Sequence, residues 1–585
     1  MSYTTLVRTL DVLRKEAPRS FKTYHPKPDD ADKVNQARAM AFIHLFLKVR
    51  FGLGEFAKRH EHICDGSQDG GIDGYFIDTE ARTVTLIQSK FRTTEKNFEE
   101  KSIDPSELLK MEVGRVSRGD KTDSNGVLFS ARILNFQKKI SEIRDIALYS
   151  WQVVILANIR RINDEQLRRL LDNMEYEVFD FPRTYSELVF PLTTGTSYTP
   201  NEITLKINLG KKQQPQLHQD VETGIGVCNV RMLYVPTIEI ARCTAKYRNA
   251  LLRYNPRNYL SLSRNEVNQS IKDTIKNTTK NEFSLRNNGI TILAEYSSVT
   301  DRTGVTGEGQ LIIKDPQIIN GGQTATTLAM MIEDPEVGIA AFESKEVLLK
   351  IIARPEGRTE EELSAFIESI SDATNKQSKI VEADRRSNVP RLLGLQSYFY
   401  NNHGLFLERK RGEFRYGLDE KVVLKSELID RVSMARALTA YAGDPPRARS
   451  SQDRIFEEEG FERLLKNLTD ADVALAYFSY LALEDESVAS VAKLPSHAMR
   501  YGRYAMLFAA SQLNAGAVVA PDAVAAESRR LAIAVTEKWK GFEDQAKAKV
   551  SNAKYSGTKI YFNFDGYYKG ATVGDDIRSF SWASA

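Results

Sequence analysis

The sequence has few cysteines, no long apolar run and almost no net charge. Its three cysteines are far apart, without paired Cys or His neighbours, which argues against a disulfide framework and a structural zinc site. Scarce cysteine is typical of a reducing compartment, so we expect a cytoplasmic protein. Lys and Arg number 81 against 78 Asp and Glu, a net charge of +3. This balance excludes a protein that coats nucleic acid through bulk charge.

The N-terminal segment lacks the apolar centre of a signal peptide. The nearby run AMAFIHLFLKV contains His44 and Lys48 and is too short to span a bilayer, so we expect no membrane association. Apolar residues make up 42% of the chain and charged residues 27%, as in globular proteins. At about 150 residues per domain, the 585 residues predict several domains.

Residues 1–180 contain alternating helical and strand-like patterns. The predicted elements are helices over 32–50 and 133–146 and strands over 72–78, 84–90 and 151–157. The first two strands are joined by a polar connector of hairpin length. This order of elements predicts an α/β sandwich.

The register of the predicted hairpin brings polar side chains together. If Asp78 pairs with Thr83, Asp73 lies opposite Gln88, and Lys90 shares a face with Gln88. Opposed strand residues have Cβ atoms about 4.5–5.5 Å apart. Oxygens of Asp73 and Gln88 would therefore converge on one hard cation, Mg²⁺ or Mn²⁺. Such an ion would activate a water molecule, and Lys90 would orient the water and offset developing phosphate charge.

One carboxylate is little charge for a divalent ion, so a further acid is expected upstream. We predict Glu55 as this ligand, with Glu61 as second choice. The predicted metal ligands are Asp73, Gln88 and Glu55, and Lys90 completes the catalytic set. A buried Asp–Lys pair across a hairpin can equally be structural, so spacing alone leaves both interpretations open.

The segments DGGIDGYFID and LIQSKF together resemble the PD-(D/E)XK phosphodiesterase core in its Mrr-like form. In that form Gln replaces the second acidic ligand, giving QxK. The resemblance implies a restriction-endonuclease-like fold and a metal-dependent nuclease, with Asp73, Gln88 and Lys90 in the roles argued above.

The middle of the chain carries a local excess of positive charge. Residues 241–290 hold ten Lys or Arg and three acids, with tyrosines interleaved. Basic side chains contact phosphates and aromatic faces stack on bases, but a solvated basic helix face has the same composition. Farther on, FLERKRGEF predicts a strand with two arginines on one face, which suits phosphate contact or a charged edge strand. The candidate nucleic-acid contacts are Arg253, Arg257, Arg264, Lys272, Arg286, Arg409 and Arg411.

The segment IINGGQTATTL predicts a strand, a Gly-Gly turn and a helix. Free N–H groups at a helix start bind anions, and glycine permits close approach. The candidate phosphate or nucleotide turn consists of Asn320, Gly321, Gly322, Gln323 and Thr324. A tight turn with satisfied caps is the alternative, and no GK[ST] follows to make a Walker A loop.

VNQSIKDTI, FSLRNNGITIL, PQIINGGQTATTL and ISDATNKQSKIVEADRRSN occur in an order that resembles the AIPR family, named for abortive infection phage resistance. Many members carry an N-terminal QxK nuclease core, in agreement with the hairpin. We therefore predict a multidomain α/β protein: a restriction-endonuclease-like α/β sandwich over 1–180, a mixed α/β AIPR module over 195–450 and a mainly helical region over 451–585. Within the last region, KIYFNFDGYYKG predicts an edge hairpin around Asp565 and Gly566.

The hairpin site predicts a Mg²⁺-dependent nuclease. The resemblance to the AIPR family implies a role in bacterial anti-phage abortive-infection defence, in which the AIPR module would recognise nucleic acid or a signal of infection. The expected partner is nucleic acid, DNA more than RNA. A homodimer and a phage-derived trigger are further candidate partners. The alternative is a catalytically silent DNA-binding or nucleotide-sensing regulator, which the substitution Lys90→Ala distinguishes.

Overall fold

The chain folds into two compact units in the computed structural model. Described are residues 2–79, 81–160, 162–210, 216–255, 266–277, 280–301, 307–355, 389–491, 494–514, 519–556 and 562–582, with nine positions between 357 and 370. Unit 1 contains Met1–Glu368 and Phe414–Leu424, and unit 2 contains Ser369–Glu413 and Lys425–Ala585. The predicted three-part division is a different partition and stays a prediction.

The N-terminal part of unit 1 is built on a four-stranded sheet. Its strands are β1 (Gly74–Asp78), β2 (Thr83–Ser89), β3 (Ser150–Leu156) and β4 (Glu175–Val178), in that order. β1 and β2 are antiparallel, whereas β2, β3 and β4 run parallel. The α-helices around it are Ser2–Lys15, Ala31–Phe51, Phe56–His60, Glu95–Glu100, Pro105–Leu108, Val113–Arg118, Ala131–Ser141, Asp164–Leu170, Phe181–Arg183 and Phe190–Thr194, with a π-helix at Thr184–Val189. The predicted helix over 32–50 and the three predicted strands are confirmed to within two residues, whereas the helix predicted over 133–146 ends at Ser141.

The hairpin has the register predicted from the sequence. Asp78 pairs with Thr83 and Gly74 with Ile87. The strands are shorter than predicted: Asp73 precedes β1 and Lys90 follows β2. The N–H of Asp73 still donates to the carbonyl of Ile87, at 2.8 Å. Asp73 therefore enters the sheet beside Gln88 although it lies outside the strand.

The rest of unit 1 holds two more sheets around a separate apolar core. The strands are β5 (Glu202–Asn208), β6 (Gln216–Thr223), β7 (Gly226–Pro236), β8 (Ile290–Ala294), β9 (Tyr296–Asp301), β10 (Glu308–Lys314), β11 (Gln317–Asn320) and β12 (Glu346–Ala353). One sheet has the order β5-β10-β9, and the other β11-β8-β12-β7-β6. The α-helices are Thr237–Tyr247, Glu266–Asn277, Phe283–Arg286, Gly322–Glu333 and Arg415–Asp419. This part of unit 1 is mixed α/β, as predicted, while the bounds 195–450 of the predicted module stay a prediction.

Unit 2 is mainly helical, as predicted for the C-terminal region. Its two strands, β13 (Phe406–Glu408) and β14 (Leu428–Asp430), pair in parallel. Its α-helices are Pro390–His403, Arg431–Tyr441, Pro445–Ala448, Gln452–Ile455, Glu458–Asn467, Asp470–Glu484, Glu486–Val491, Ser496–Tyr501, Arg503–Leu513, Val524–Ala548, Phe564–Lys569 and Thr572–Ser579. Among the described residues, no helix has the length and apolarity needed to cross a membrane.

The hairpin predicted around Asp565 and Gly566 is wrong. Both residues lie in the helix Phe564–Lys569. The side chain of Asn563 caps this helix by accepting the N–H of Gly566 at 2.9 Å. Tyr567 and Tyr568 are buried on one side of the helix, so tertiary burial of the tyrosines and the cap together override the alternating pattern.

A buried polar cluster anchors the helix Ala31–Phe51 in the N-terminal part. His44 is fully buried; its Nδ1 accepts from Arg59 Nε at 3.1 Å, and its Nε2 lies 2.9 Å from the Tyr24 hydroxyl. Arg59 is also buried and forms an ion pair with Glu16. Burial, and next the charge of Arg59, lower the pKa of His44 to about 2. The imidazole is therefore neutral in the folded protein.

We expect the His44 environment to make unfolding sensitive to acid. Unfolded His titrates near pH 6.5, while folded His44 stays neutral down to about pH 2, so stability falls as pH drops below about 6.5. His44→Gln should lower the slope of melting temperature against pH between about 6.5 and 4.5, measured by thermal unfolding. An unchanged slope in this variant, with the exposed Lys33→Gln protein as control, would contradict the prediction.

Candidate metal and catalytic site

A loop rich in aspartate and glycine, residues 65–73, folds back on itself before β1. The carbonyl of Asp73 accepts the N–H groups of Cys64 and Asp65, at 2.9 and 3.0 Å. The Asp69 carboxylate accepts the N–H of Gly71 at 2.8 Å. Gly71 has φ +69°, and a Cβ there would lie 2.8 Å from the carbonyl oxygen of Lys110. The close packing at this glycine therefore fixes the loop in its tight path.

Asp73 and Gln88 meet at the end of β2, as the register predicts. The Gln88 Nε2 and the Ser89 N–H donate to Asp73 Oδ2, at 3.1 and 2.6 Å. Asp73 is 9% exposed and Gln88 8%. Gln88 Oε1 and Ser89 Oγ are buried and have no hydrogen-bond partner within the described part of the chain. A buried polar oxygen without a partner is costly, and a ligand at this position would satisfy it.

The carboxylates next to Asp73 come from the loop. Oxygens of Asp65, Asp69 and Asp73 all lie within 4.8 Å of one another, the sole such acidic or His/Cys group among the described residues. Asp73 is buried, Asp69 half-buried and Asp65 exposed, so the cluster extends from the interior to the surface. Carboxylate and amide oxygens are the donors that Mg²⁺ and Mn²⁺ prefer. The residues present therefore fit a divalent ion.

Glu55, predicted as the upstream ligand, does not join this cluster. It is the cap residue of the helix Phe56–His60, its side chain is 69% exposed, and it pairs with Lys58 at 2.7 Å. Glu61 is exposed as well. The prediction fails because both acids lie on the short helix and its end, whereas the loop itself supplies Asp65 and Asp69.

The carboxyl groups of the cluster resist ionisation in the absence of a cation. Burial is the largest cause that raises the pKa of Asp73 to about 8, and Asp65 and Asp69 raise it further. The Ser89 N–H and the charge of Lys90 act in the opposite direction. The pKa values of Asp65 and Asp69 are raised too, chiefly by desolvation. A divalent ion would remove this repulsion and favour the charged forms.

Lys90 lies beside the cluster and is held by a carboxylate. It follows β2, its N–H donates to the carbonyl of Leu156 at 3.1 Å, and its Nζ lies 2.7 Å from Oε2 of Glu107. The Lys90 side chain is 37% exposed. Its ammonium is thus fixed at the carboxyl end of β2 and β3, with part of its surface open to solvent.

Three residues of this site were missed by sequence reasoning: Asp65, Asp69 and Glu107. The first two had a usable signal, because aspartate recurs every fourth residue in DGSQDGGID. Glu107 has no such signal, since it reaches Lys90 only through the fold.

Several cations of the basic stretch pair with acids where the structure describes them. Lys272 lies 3.6 Å from Asp334, and Arg286 lies 2.7 Å from Glu282. The guanidinium of Arg253 lies over the ring of Tyr254, 5.3 Å from its centroid. Arg257 and Arg264 lie outside the described residues. These pairs reduce the excess charge that the window presents, and nucleic-acid contact at these residues stays a prediction.

The predicted strand over Arg409 and Arg411 is wrong. β13 ends at Glu408, and residues 409–411 form a bend and the start of a turn. Arg409 is 9% exposed; its guanidinium pairs with Glu413 and donates from Nε to Gln396 Oε1 at 3.0 Å. Arg411 is exposed. Arg409 therefore serves the interior of unit 2 and is not available to a phosphate on a strand face.

Removing the carboxylate that neutralises Arg409 should destabilise the protein strongly. Glu413→Ala removes one partner of a buried ion pair with the Arg409 guanidinium, which costs about 3–5 kcal/mol. We expect a fall of about 10 °C in the melting temperature of the full chain, measured by calorimetry. Arg411→Ala, at an exposed position, should change it little. Equal melting temperatures for both variants would return Arg409 to the candidate phosphate contacts.

The Gly-Gly turn has the predicted strand–turn–helix geometry. Asn320 ends β11, and Gly321, with φ +82°, precedes the helix Gly322–Glu333. A Cβ on Gly321 would lie 2.7 Å from the Gly289 carbonyl oxygen, and one on Gly322 would lie 2.9 Å from Asn255 Nδ2.

The two side chains that follow the glycines, those of Gln323 and Thr324, are also partly or fully buried by the protein. Thr324 Oγ1 accepts from Asn287 Nδ2 at 3.1 Å, and Gln323 is half-buried. The space beside both glycines is occupied by the protein itself, which favours the tight-turn interpretation. Binding of a phosphate or nucleotide at this turn stays a prediction.

Comparison with known proteins bears on the middle of the chain. Residues 252–495 match the family model described as AIPR protein. The match covers less than half of the chain and does not include the hairpin site. No curated protein and no solved structure matches the chain. Residues 252–495 are therefore similar to the AIPR family, as the sequence motifs predict, and this similarity suggests a role in abortive-infection phage defence.

Proposed function

We propose that the protein is a metal-dependent nuclease that hydrolyses phosphodiester bonds of DNA or RNA at the Asp73 site. One observation carries the proposal: Gln88 donates from Nε2 to buried Asp73 and keeps a buried, unpartnered Oε1, beside a group of three carboxylates and Lys90. A structural Asp–Lys pair gives no reason for two further carboxylates to gather beside it, whereas a bound cation would, and it would also satisfy Gln88 Oε1.

The residues divide into metal-holding and phosphate-facing groups. Asp73, Gln88, Asp65 and Asp69 would hold Mg²⁺ or Mn²⁺ through oxygen atoms. When bound, the ion would activate water and withdraw charge from the scissile phosphate. Lys90 donates from its ammonium to a non-bridging phosphate oxygen and so stabilises the charge that develops there. Water adds across one P–O bond, which leaves a phosphomonoester and a hydroxyl group.

Glu107 acts as a positioning residue in this scheme. Its carboxylate holds the Lys90 ammonium at 2.7 Å before a substrate arrives. A phosphate that approaches the site offers Lys90 a second anionic partner. The ammonium then needs only a small rotation to move from the Glu107 carboxylate to a phosphate oxygen. Glu107 thereby limits the rotamers that Lys90 samples and keeps it at the end of β2.

The test of the proposal is cleavage by the purified full chain. Single-stranded and duplex DNA and RNA are incubated with Mg²⁺, with Mn²⁺ or with EDTA. Fragments should appear with either metal and disappear with EDTA. Absence of cleavage of every substrate with both metals would overturn the proposal.

The similarity to AIPR proteins connects this chemistry with defence. Cleavage of nucleic acid in an infected cell would stop phage multiplication, and the family match supports that setting. The matched region would then control the hairpin site in response to infection. Expression of the intact chain should reduce phage plating, and the Lys90→Ala chain should lose this protection if cleavage is its cause.

A further inference from the structure

Arg132 places a guanidinium beside the segment that leads into the carboxylate cluster. It lies in the first turn of the helix Ala131–Ser141, and its Nη1 donates to the carbonyl of Ile63 at 3.2 Å. Ile63 bridges to Gly74, the residue directly after Asp73. Arg132 itself is exposed. Because a guanidinium has five N–H donors, this one contact leaves donors for a ligand.

Lys139 lies on the same face of this helix, two turns farther along. Residues seven apart in an α-helix lie nearly in line, so Lys139 follows Arg132 along the axis. The Lys139 Nζ lies over the ring of Tyr75, 5.7 Å from its centroid. Tyr75 is the second residue of β1, and Lys139 is half-buried. We call Arg132 and Lys139 the basic row, since both lie beside the start of β1.

The two cations of the basic row are not neutralised by acids. Among the described residues, neither Arg132 nor Lys139 forms an ion pair. Lys138, their neighbour on the helix, has such a partner in Glu142 at 4.0 Å. Two cations at fixed positions without counter-charges attract an anionic ligand before it makes contact.

The basic row and Lys90 act on different members of the carboxylate cluster. Burial, and next the neighbouring Asp69, raise the pKa of Asp65, whereas the charge of Arg132 lowers it. Lys90 instead acts on Asp73, whose pKa burial raises to about 8. Asp65 is the exposed end of the cluster and Asp73 the buried end. A phosphodiester strand that enters at the exposed end therefore meets Arg132 before it reaches Lys90.

The spacing of the basic row suits a chain of phosphates. Seven residues of α-helix rise about 10.5 Å, because each residue adds about 1.5 Å. One strand of duplex DNA carries a phosphate for about every 3.4 Å of axis. The row therefore spans about three phosphates of one strand. A mononucleotide would contact one cation and leave the other unused.

We infer that the basic row of Arg132 and Lys139 binds backbone phosphates of the substrate strand next to the bond that is cut. The inference rests on the proposed function, because it takes the strand held by the row to be the one cut at Asp73. It goes further, since it assigns a polymeric strand as the substrate class. Contacts to phosphates carry no base information, so binding at the row is independent of sequence.

The experiment measures binding without cleavage. Fluorescently labelled single-stranded DNA, duplex DNA and single-stranded RNA of equal length, each in two unrelated sequences, are titrated with the full chain in EDTA. Fluorescence anisotropy is recorded at several salt concentrations. The test variant combines Arg132→Gln with Lys139→Gln. The control combines Lys138→Gln with Arg144→Gln, which removes the same charge from two exposed residues in and just after the same helix.

The double variant of the basic row should lose about tenfold in affinity for the probes that the wild-type chain binds. The slope of log affinity against log salt should fall by about 1.4 for single strands and about 1.8 for duplex DNA. Arg132→Gln alone, at an exposed position, should show about half of this fall, and Arg132→Lys should keep the wild-type slope. The control should behave like the wild type, and each pair of sequences should bind equally. Equal slopes in the double variant and the control, or no binding of any probe by the wild-type chain, would overturn the inference.

The basic row and the nuclease fail in different ways. With Mg²⁺ and multiple turnovers, the double variant should raise KM about tenfold with little change in kcat, because the row contacts the strand equally before and during the reaction. Unchanged binding and KM with intact cleavage would remove the row and leave the nuclease. Row-dependent binding without cleavage of any nucleic acid would remove the nuclease, and the row would remain a nucleic-acid contact.

Discussion

Lys90→Ala should reduce nucleic-acid cleavage by at least about a hundredfold. Lys90 is the cation next to the carboxylate cluster, and removal of one preorganised charge that stabilises a transition state typically costs this much. The change also leaves Glu107 without its partner at a partly exposed position, where loss of a surface pair has little effect on stability. Cleavage rates of the full chain under single-turnover conditions measure the effect.

Lys110→Ala is the matched control for this experiment. Lys110 is exposed and lies three residues after Glu107, and its side chain has no contact with the cluster among the described residues. It should retain wild-type cleavage. If the Lys90→Ala chain also cuts at the wild-type rate, or keeps any toxicity of the parent, the catalytic assignment is wrong and the silent regulator becomes the better interpretation.

Asp73→Asn should abolish stabilisation of the protein by divalent metal. A ligand at a hundred times its Kd stabilises a fold by about 2.7 kcal/mol, a rise of several degrees in melting temperature for a unit of this size. The wild-type chain should show this rise with Mg²⁺ or Mn²⁺, and Asp73→Asn should not. Calorimetry with and without metal gives the comparison, and a rise in the variant equal to that of the wild type would contradict it.

The raised pKa of Asp73 leads to further expectations for the Asp73→Asn experiment. Burial raises the pKa of Asp73 to about 8, so this carboxyl group stays protonated in the folded metal-free protein while it ionises above about pH 4 in the unfolded chain, and folding stability falls as the pH rises between these values. The metal-free variant should therefore be no less stable than the wild type at neutral pH. Metal must displace the proton, so the metal-induced rise should grow as the pH approaches about 8. Glu55→Gln, at the exposed acid, should behave like the wild type.

The sequence predicted what depends on local repetition. Strand alternation and a polar connector placed Asp73 opposite Gln88, because pairing along a hairpin follows from a single register. The acids at 65 and 69 escaped this reasoning because they reach Asp73 through a loop whose path depends on close packing at Gly71. The recurrence of aspartate at every fourth residue was a usable signal, but it does not show that the loop folds back on itself.

The burial of charged side chains was the second property that could not be predicted from the sequence. The pattern from Arg409 to Arg411 predicts an exposed basic strand. In the structure, Glu413, four residues after Arg409, pairs with the Arg409 guanidinium in the interior. The partner is near in sequence, but whether the pair faces solvent or the core depends on the helices that surround it. The same reasoning applies to Glu107 and Lys90, which are distant in sequence and meet only when the sheet has formed.

The return of residues Phe414–Leu424 to unit 1 sets the order in which the chain can mature. Gly417 packs against the Thr193 carbonyl, and the ring of Phe414 contacts that of Phe190. The early part of the chain therefore cannot complete its packing until this later segment has been made. During synthesis, unit 1 stays incomplete until residue 424 has left the ribosome, and by then part of unit 2 has already emerged. A truncated chain that ends at residue 368 therefore exposes the surfaces that Phe414 and Gly417 cover. The unit that holds the candidate catalytic site therefore needs residues far beyond that site in the sequence before its fold is complete.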